Sequence, residues 1–339
     1  MMPAADLTRL TAIIERIRAV QGVEAVADDS PNKRIAIAAK KISDLSPARI
    51  ASIARKSNDS SPERIAAIAG RISEALLSHF VKVERPGFQR LYDALSGGGV
   101  PTATLSVCGR GTREIRYTQL MRYFLDPNEL HGLGDRVLRA ALHTFDVNVQ
   151  DLDLQKAVVK AEESLGKVKT KKGEVGCTLD LLIEIDGIYV LVEHKINSGE
   201  GEGLDETTGQ VARYDKAVAK NLPHITESNS TRVYLTRTGK EAKGDVDWIP
   251  VAHRDLLRSF VAILEDASLS AVALHNLCAF LWDLLMGPIG IDALRLSELR
   301  NHINGALHNP PQSIRLKQWC DTNDIPWQNI IYILEKSYG

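Results

Sequence analysis

TLDLLIEIDGIYVLVEHKI, residues Thr178 to Ile196, is the stretch on which the fold turns. Two apolar, β-branched runs flank Asp186-Gly187. An Asp-Gly pair in that setting specifies a two-residue type I′ turn, because both central residues must take positive φ. The spacing predicts a β-hairpin with Ile185 opposite Ile188. In that register Asp180 falls across from Glu193 and Thr178 across from Lys195, so both carboxylates point to one face.

The alternation agrees. Leu179, Leu181, Ile183 and Ile185, with Ile188, Val190 and Val192, make one face apolar, and Asp180, Glu184, Tyr189, Glu193 and Lys195 occupy the other. Leu182 and Leu191 share the second face, which is therefore expected to be half covered by another element. Like charges directly opposed on a sheet destabilise it. Asp180 and Glu193 call for a bound cation or a raised pKa.

Working outward, Arg113 to Leu125 carries Ile115, Leu120, Met121 and Phe124 at helix spacing and stops at Asp126-Pro127, since the residue before a proline is pushed out of the helical region. A loop, Asn128 to Gly134, leads to a helix from about Asp135 to Phe145. Ala157 to Glu163 reads as a strand, and Lys167 to Gly176 as a polar, glycine-containing turn. After the hairpin, Asn197 to Gly209 is rich in glycine and acid and reads as a mobile loop. A helix from Thr208 to Asn221, a strand from Thr231 to Thr236, a short strand from Trp248 to Val251 and a helix from about Arg254 follow. Helix, strand, hairpin, helix, strand is a mixed α/β order with the sheet covered on both faces.

Residues 1–95 read as a separate, all-helical domain. Arg34-Ile35-Ala36, Arg49-Ile50-Ala51 and Arg64-Ile65-Ala66 recur every 15 residues, each after a Ser-Pro pair. Serine as N-cap with proline at the first helical position marks a helix start. Three helices this short must stack on each other or on a partner. The segment Met1 to Arg85 holds 14 Lys and Arg against 10 Asp and Glu, a mild excess that suits a nucleic-acid or partner-binding cap, and equally a small self-associating module with solvated charges. Ser96 to Gly99, followed by Pro101, is a linker. Residues 104–290 hold the α/β core, and 291–339 a helical extension broken at Pro310-Pro311 and around Asn323 to Pro326, which could dock on the core or mediate homo-oligomers.

The 42 basic and 43 acidic residues nearly cancel, so any polyanion must be met by a local patch. The N-terminus is interrupted by charges and lacks a signal-peptide core. Ala271 to Ile291, the most apolar stretch, contains His275, Asn276, Asp283 and Pro288 and reads as a buried helix, not a membrane span. Cys108, Cys177, Cys278 and Cys320 have neither paired nor metal-ligand spacing, which fits a reducing cytoplasm. There is no CxxC, paired-His zinc spacing, GxSxG, P-loop or dinucleotide fingerprint. Gly199, Gly201 and Gly203 alternate with Glu200 and Glu202, and that charge argues against a phosphate cradle.

Asp180, a hairpin, and then Glu193-His194-Lys195 resemble the PD-(D/E)XK nuclease superfamily, whose pattern is an Asp on one strand and (D/E)-x-K on the next. Leu179 stands where the family name has proline. The likeness extends to EIRYTQLMRYFLDP at Glu114 to Pro127 followed by His131-Gly132, to Gln210-Val-Ala-Arg-Tyr214 and to Val233-Tyr-Leu-Thr-Arg-Thr-Gly239, in the right order. The resemblance implies a restriction-endonuclease-like mixed sheet flanked by helices, in a bacterial, restriction-like branch with a role in defence. It also implies a nuclease acting on DNA, with RNA the other polymer the chemistry admits.

The chemistry of phosphodiester hydrolysis is consistent with that likeness. Magnesium or manganese held by one or two carboxylates keeps most of its waters and polarises a phosphate. Asp180 and Glu193 could supply that pair, with the carbonyl of His194 as a third ligand. Lys195 emerges on the same face about 7 Å beyond Glu193 along the strand, placed for the attacking water or the developing charge. By resemblance, Glu114 is an outer acid, Gln210 contacts the scissile phosphate or holds Lys195, and Tyr214 supports the cleft.

Each residue has a plainer reading. Asp180, Glu193 and Lys195 could be a solvated ion-pair network, and Glu114 an acid favoured by its helix dipole. His194 is expected to be a satisfied core histidine with only its backbone near a metal, and His131 to fix its loop. Glu162 and Glu163 on the preceding strand could add acid to the cluster, but are expected instead to be solvated on an edge strand. Two rivals of another class are a nuclease fold that binds nucleic acid or a partner without cutting it, and an assembly protein driven by the helical repeat.

Overall fold

The computed structural model describes residue 74 and residues 77–97, 99–108, 113–171, 173–196, 209–244 and 246–338. The 15-residue repeat and most of the acidic glycine loop lie outside the described residues. In chain order the α-helices are α1 (Arg85–Gly97), α2 (Thr104–Val107), α3 (Glu114–Leu125), α4 (Arg136–Thr144), α5 (Gln210–Asn221), α6 (His253–Ala262), α7 (Ala271–Met286), α8 (Ala293–His308), α9 (Ser313–Thr322) and α10 (Trp327–Tyr338). No helix among the described residues is long and apolar enough to cross a membrane.

A five-stranded mixed sheet positions the site. β1 (Val158–Thr170), β2 (Gly173–Ile185) and β3 (Ile188–His194) form an antiparallel meander, and β4 (Ser230–Thr236) and β5 (Ile249–Ala252) continue it in parallel. A parallel neighbour needs a crossover, which α5 supplies between β3 and β4.

The hairpin forms as its sequence dictates. Asp186 and Gly187 both take positive φ, 49° and 81°, and Ile185 pairs with Ile188. Backbone pairing runs back only to Leu181 opposite Val192. At the next position the Asp180 carboxylate takes over, its Oδ2 accepting the His194 N–H at 2.7 Å.

Leu181, Ile183, Val190 and Val192 are fully buried. On the other face Leu182, Leu191 and Tyr189 join Val211, Tyr214, Ala217 and Val218 of α5 and Trp248 in one core cluster, so the second face is covered as its leucines required. Each such apolar side chain contributes roughly 1.5–3 kcal/mol by leaving water, which fixes α5 on the sheet. Leu179 joins this second cluster as well, against the simple alternation. Three further contacts lock α5 in place: Asp215 pairs with Arg232 at 2.9 Å and accepts the Trp248 indole N–H at 3.0 Å, and Asn221 Nδ2 donates to the Leu165 carbonyl at 2.7 Å.

Two local expectations change. Lys167 to Gly176 is mostly strand: β1 extends to Thr170 and β2 begins at Gly173, pairing Val168 with Val175 and Thr170 with Gly173. The ladder and the complete burial of Val168 override the weak strand propensity of its lysines and glycines. In α3, Ile115 is exposed, and Tyr117, Thr118, Met121, Phe124 and Leu125 form the buried side.

By contacts the chain divides into two compact units. The larger, Arg90–Asn301 with Cys320–Gly339, holds the sheet, and within it α10 lies against α7, with Cys278 Sγ 3.9 Å from the Ile333 carbonyl. The smaller comprises the chain up to Gln89 with His302–Trp319. There Lys317 pairs with Glu84 at 2.6 Å, and Arg85 donates to the Leu307 carbonyl. The C-terminal helices are thus shared between the units.

Candidate active site

The ends of β2 and β3 bring Asp180, Glu193 and Lys195 together. The Lys195 N–H donates to the Leu235 carbonyl at 2.8 Å, carrying the β3–β4 pairing one residue past the strand, while its ammonium stands 2.6 Å from Glu193 Oε1. Glu193 Oε1 is thereby paired, while its Oε2 is buried without a hydrogen-bond partner, in a residue only 1% exposed. Glu114 reaches the same place from the first turn of α3. Its Oε1 accepts the Ile196 N–H at 2.8 Å, and its Oε2 is 3.8 Å from the Lys195 ammonium.

The electrostatics follow from this burial. Glu193 is pushed up to about 8, first by desolvation and then by Asp180, with Lys195 opposing. Burial also raises Asp180, held back by the His194 N–H and by Lys195. Burial works against the Lys195 charge, but Glu193, Asp180 and Glu114 outweigh it and hold its pKa above the usual lysine value. Lys195 is therefore a fixed cation between three acids, and Glu193 takes up its charge at a cost that a divalent ion would remove.

From α5, Gln210 Nε2 donates to Tyr214 Oη, joining the two residues at i and i+4. The Tyr214 phenol is raised by burial and by Glu193, which places the hydroxyl beside the acids. His194 turns to the opposite side, fully buried, with Nδ1 3.4 Å from Thr118 Oγ1 and its ring 4.6 Å from that of His253. Burial and Lys195 take it down to about 3, so it stays neutral. It is a core histidine satisfied on one nitrogen only, since Nε2 has no hydrogen-bond partner. His131 fixes its loop as expected, accepting the Leu133 N–H on Nδ1 and therefore donating from Nε2 to the Asp126 carbonyl.

Glu162 lies on β1, the edge strand expected of it, and is half-buried there. Its neighbours Ala161 and Glu163 pair with Leu181 and Leu179, which sets it across from Asp180, and its Oε1 is buried without a hydrogen-bond partner. Thr118 and His253, beside His194, carried no signal in the sequence, because only the folded chain brings α3 and α6 to that ring.

These residues fit a hard divalent cation. Oxygen donors on adjacent strands, one of them a buried carboxylate whose Oε2 has no hydrogen-bond partner, suit magnesium or manganese. Among the described residues no group of three or more His, Cys, Asp or Glu side chains is placed to hold a metal ion; magnesium is commonly bound by one or two carboxylates together with its own waters.

Residues 103–268 match the family model of the PD-(D/E)XK nuclease superfamily, and the five-stranded mixed sheet with its flanking helices is a restriction-endonuclease-like α/β fold. Neither the curated proteins nor the solved structures compared with the chain gave a match.

Proposed function

We propose, from the premise that residues 103–268 of this chain belong to the PD-(D/E)XK nuclease superfamily, that it is a metal-dependent endonuclease hydrolysing DNA phosphodiester bonds. The observation that carries the reading is the buried Glu193 carboxylate, paired through Oε1 with Lys195 and standing beside Asp180. Asp180 and Glu193 would hold magnesium or manganese, with the His194 carbonyl as a further donor. Bound there, the cation supplies Lewis acidity and offsets the charge of the phosphate.

The chain's own residues account for the rest. Hydrolysis forms a P–O bond from water and breaks the P–O bond to the leaving sugar oxygen, which takes up a proton. Lys195 keeps its charge beside the acids and is positioned to hold the attacking water and stabilise the extra negative charge on the phosphoryl oxygens. Glu114 holds the Ile196 amide and one side of Lys195, fixing where the ammonium points. Gln210, anchored on Tyr214, offers its amide to a phosphate oxygen. A role in defence against foreign DNA follows from the likeness to restriction enzymes.

Asp180→Ala and Lys195→Ala are expected to abolish cleavage of plasmid DNA in magnesium while far-UV circular dichroism and melting remain cooperative. Full activity in either variant refutes the assignment. Parallel assays on single-stranded DNA and RNA identify the polymer.

A further inference from the structure

The acid row has a third member. β1 and β2 pair Ala161 with Leu181 and Glu163 with Leu179, and the ladder passes over the position between, where Glu162 faces Asp180. Glu162 there adopts φ 55°, a left-handed conformation that costs a non-glycine residue about 1 kcal/mol or more. Such a residue inside a strand needs a compensating reason. Its carboxyl supplies one candidate: Oε1 is buried without a hydrogen-bond partner, and the side chain lies close enough to feel both Asp180 and Lys195. Adjacent Glu163 is different, pairing with Lys160 at 3.8 Å. Glu114 differs too, because its two oxygens already serve the Ile196 amide and Lys195.

Two glutamates on the neighbouring strands therefore both lie close enough to Asp180 to interact with it. Glu193, nine-tenths buried with its Oε2 lacking a hydrogen-bond partner, lies on β3, and Glu162 lies on β1. Resting on the metal-nuclease reading of Asp180 and Glu193, we propose that Glu162 is a positioning residue for the divalent cation, accepting hydrogen bonds from the waters the ion retains. That role explains why a strained glutamate is tolerated in mid-strand: its carboxylate orients the ion's waters and adds negative charge without occupying a ligand position.

Partners that act through a metal's own ligands and waters typically change affinity by about 10–100-fold. The test is a calorimetric titration of the full chain with Mn²⁺, without nucleic acid, comparing wild type with Glu162→Gln, Glu163→Gln and Asp180→Asn, and with melting in EDTA for each. Glu162→Gln is expected to bind Mn²⁺ about tenfold or more weakly with an unchanged melting temperature, Glu163→Gln as wild type, and Asp180→Asn not measurably. Glu162→Gly, whose backbone suits φ 55°, is expected to fold at least as stably and to bind as weakly as Glu162→Gln, which separates the carboxylate from the fold. Wild-type affinity in both Glu162 variants, with binding still lost in Asp180→Asn, overturns this inference and leaves the parent reading standing. A wild type that binds no Mn²⁺ overturns both.

Discussion

Neutralising Glu193 is expected to stabilise the metal-free protein while disabling it. The carboxyl is 1% exposed and, although Lys195 opposes the shift, is pushed up to about 8 from 4.5. A folded-state value above the unfolded one means that the native state holds the proton more tightly. The contribution of Glu193 to stability is therefore complete below about pH 4.5 and is lost as pH climbs through 8. Full ionisation removes roughly 5 kcal/mol at 1.36 kcal/mol per unit, of which relaxation of the cluster and entry of water restore a part. In Glu193→Gln nothing titrates at this position, and the buried amide costs about 1–2 kcal/mol where its N–H groups meet the Lys195 ammonium. The variant should therefore gain on wild type with rising pH, by a net of about 1–3 kcal/mol at pH 8.5, or a few degrees in Tm. The assay is thermal or urea unfolding in EDTA at pH 5.5, 7 and 8.5. Saturating Mn²⁺ should reverse the order, because only wild type gains from binding. A gap between variant and wild type that stays flat or narrows with pH refutes the argument, since it would mean that Glu193 carries its charge in the folded protein without cost.

Two further predictions concern the support of the site. Asp283, buried in α7, accepts the Thr104 and Leu105 N–H groups, and burial raises it to about 6 from 3.8; wild type should therefore lose about 1 kcal/mol relative to Asp283→Asn between pH 5 and 7, read from paired urea melts. Gly287 ends α7 where an added Cβ would lie 1.9 Å from the Tyr117 hydroxyl, itself donating to the Asp283 carbonyl; Gly287→Ala should destabilise by about 2–4 kcal/mol, measured by thermal unfolding, because neither the buried ring of α3 nor the helix end can move aside.

How much of this was legible depends on where register is set. The Asp-Gly turn is local, so the hairpin, its two faces and the meeting of Asp180 with Glu193 could be read from nineteen consecutive residues. The β1–β2 register could not. Its ladder closes at Thr170 opposite Gly173, in a polar stretch that reads as loop until Val168 is seen buried beside α5. From Thr170 opposite Gly173, an uninterrupted ladder would set Glu163, not Glu162, across from Asp180. The register shift between Ser164 and Gly166 changes that by one residue, and a one-residue slip exchanges the faces of a strand. The shift is held from outside the strand pair: Asn221 of α5 donates to the Leu165 carbonyl, and Gly166, at φ 81°, sits where a Cβ would lie 2.6 Å from the Asn221 amide. A contact between a helix end and a bulge some fifty-five residues upstream thus determines which glutamate joins the row. Two adjacent glutamates are equivalent by composition and by local pattern, and they become different only when α5 docks.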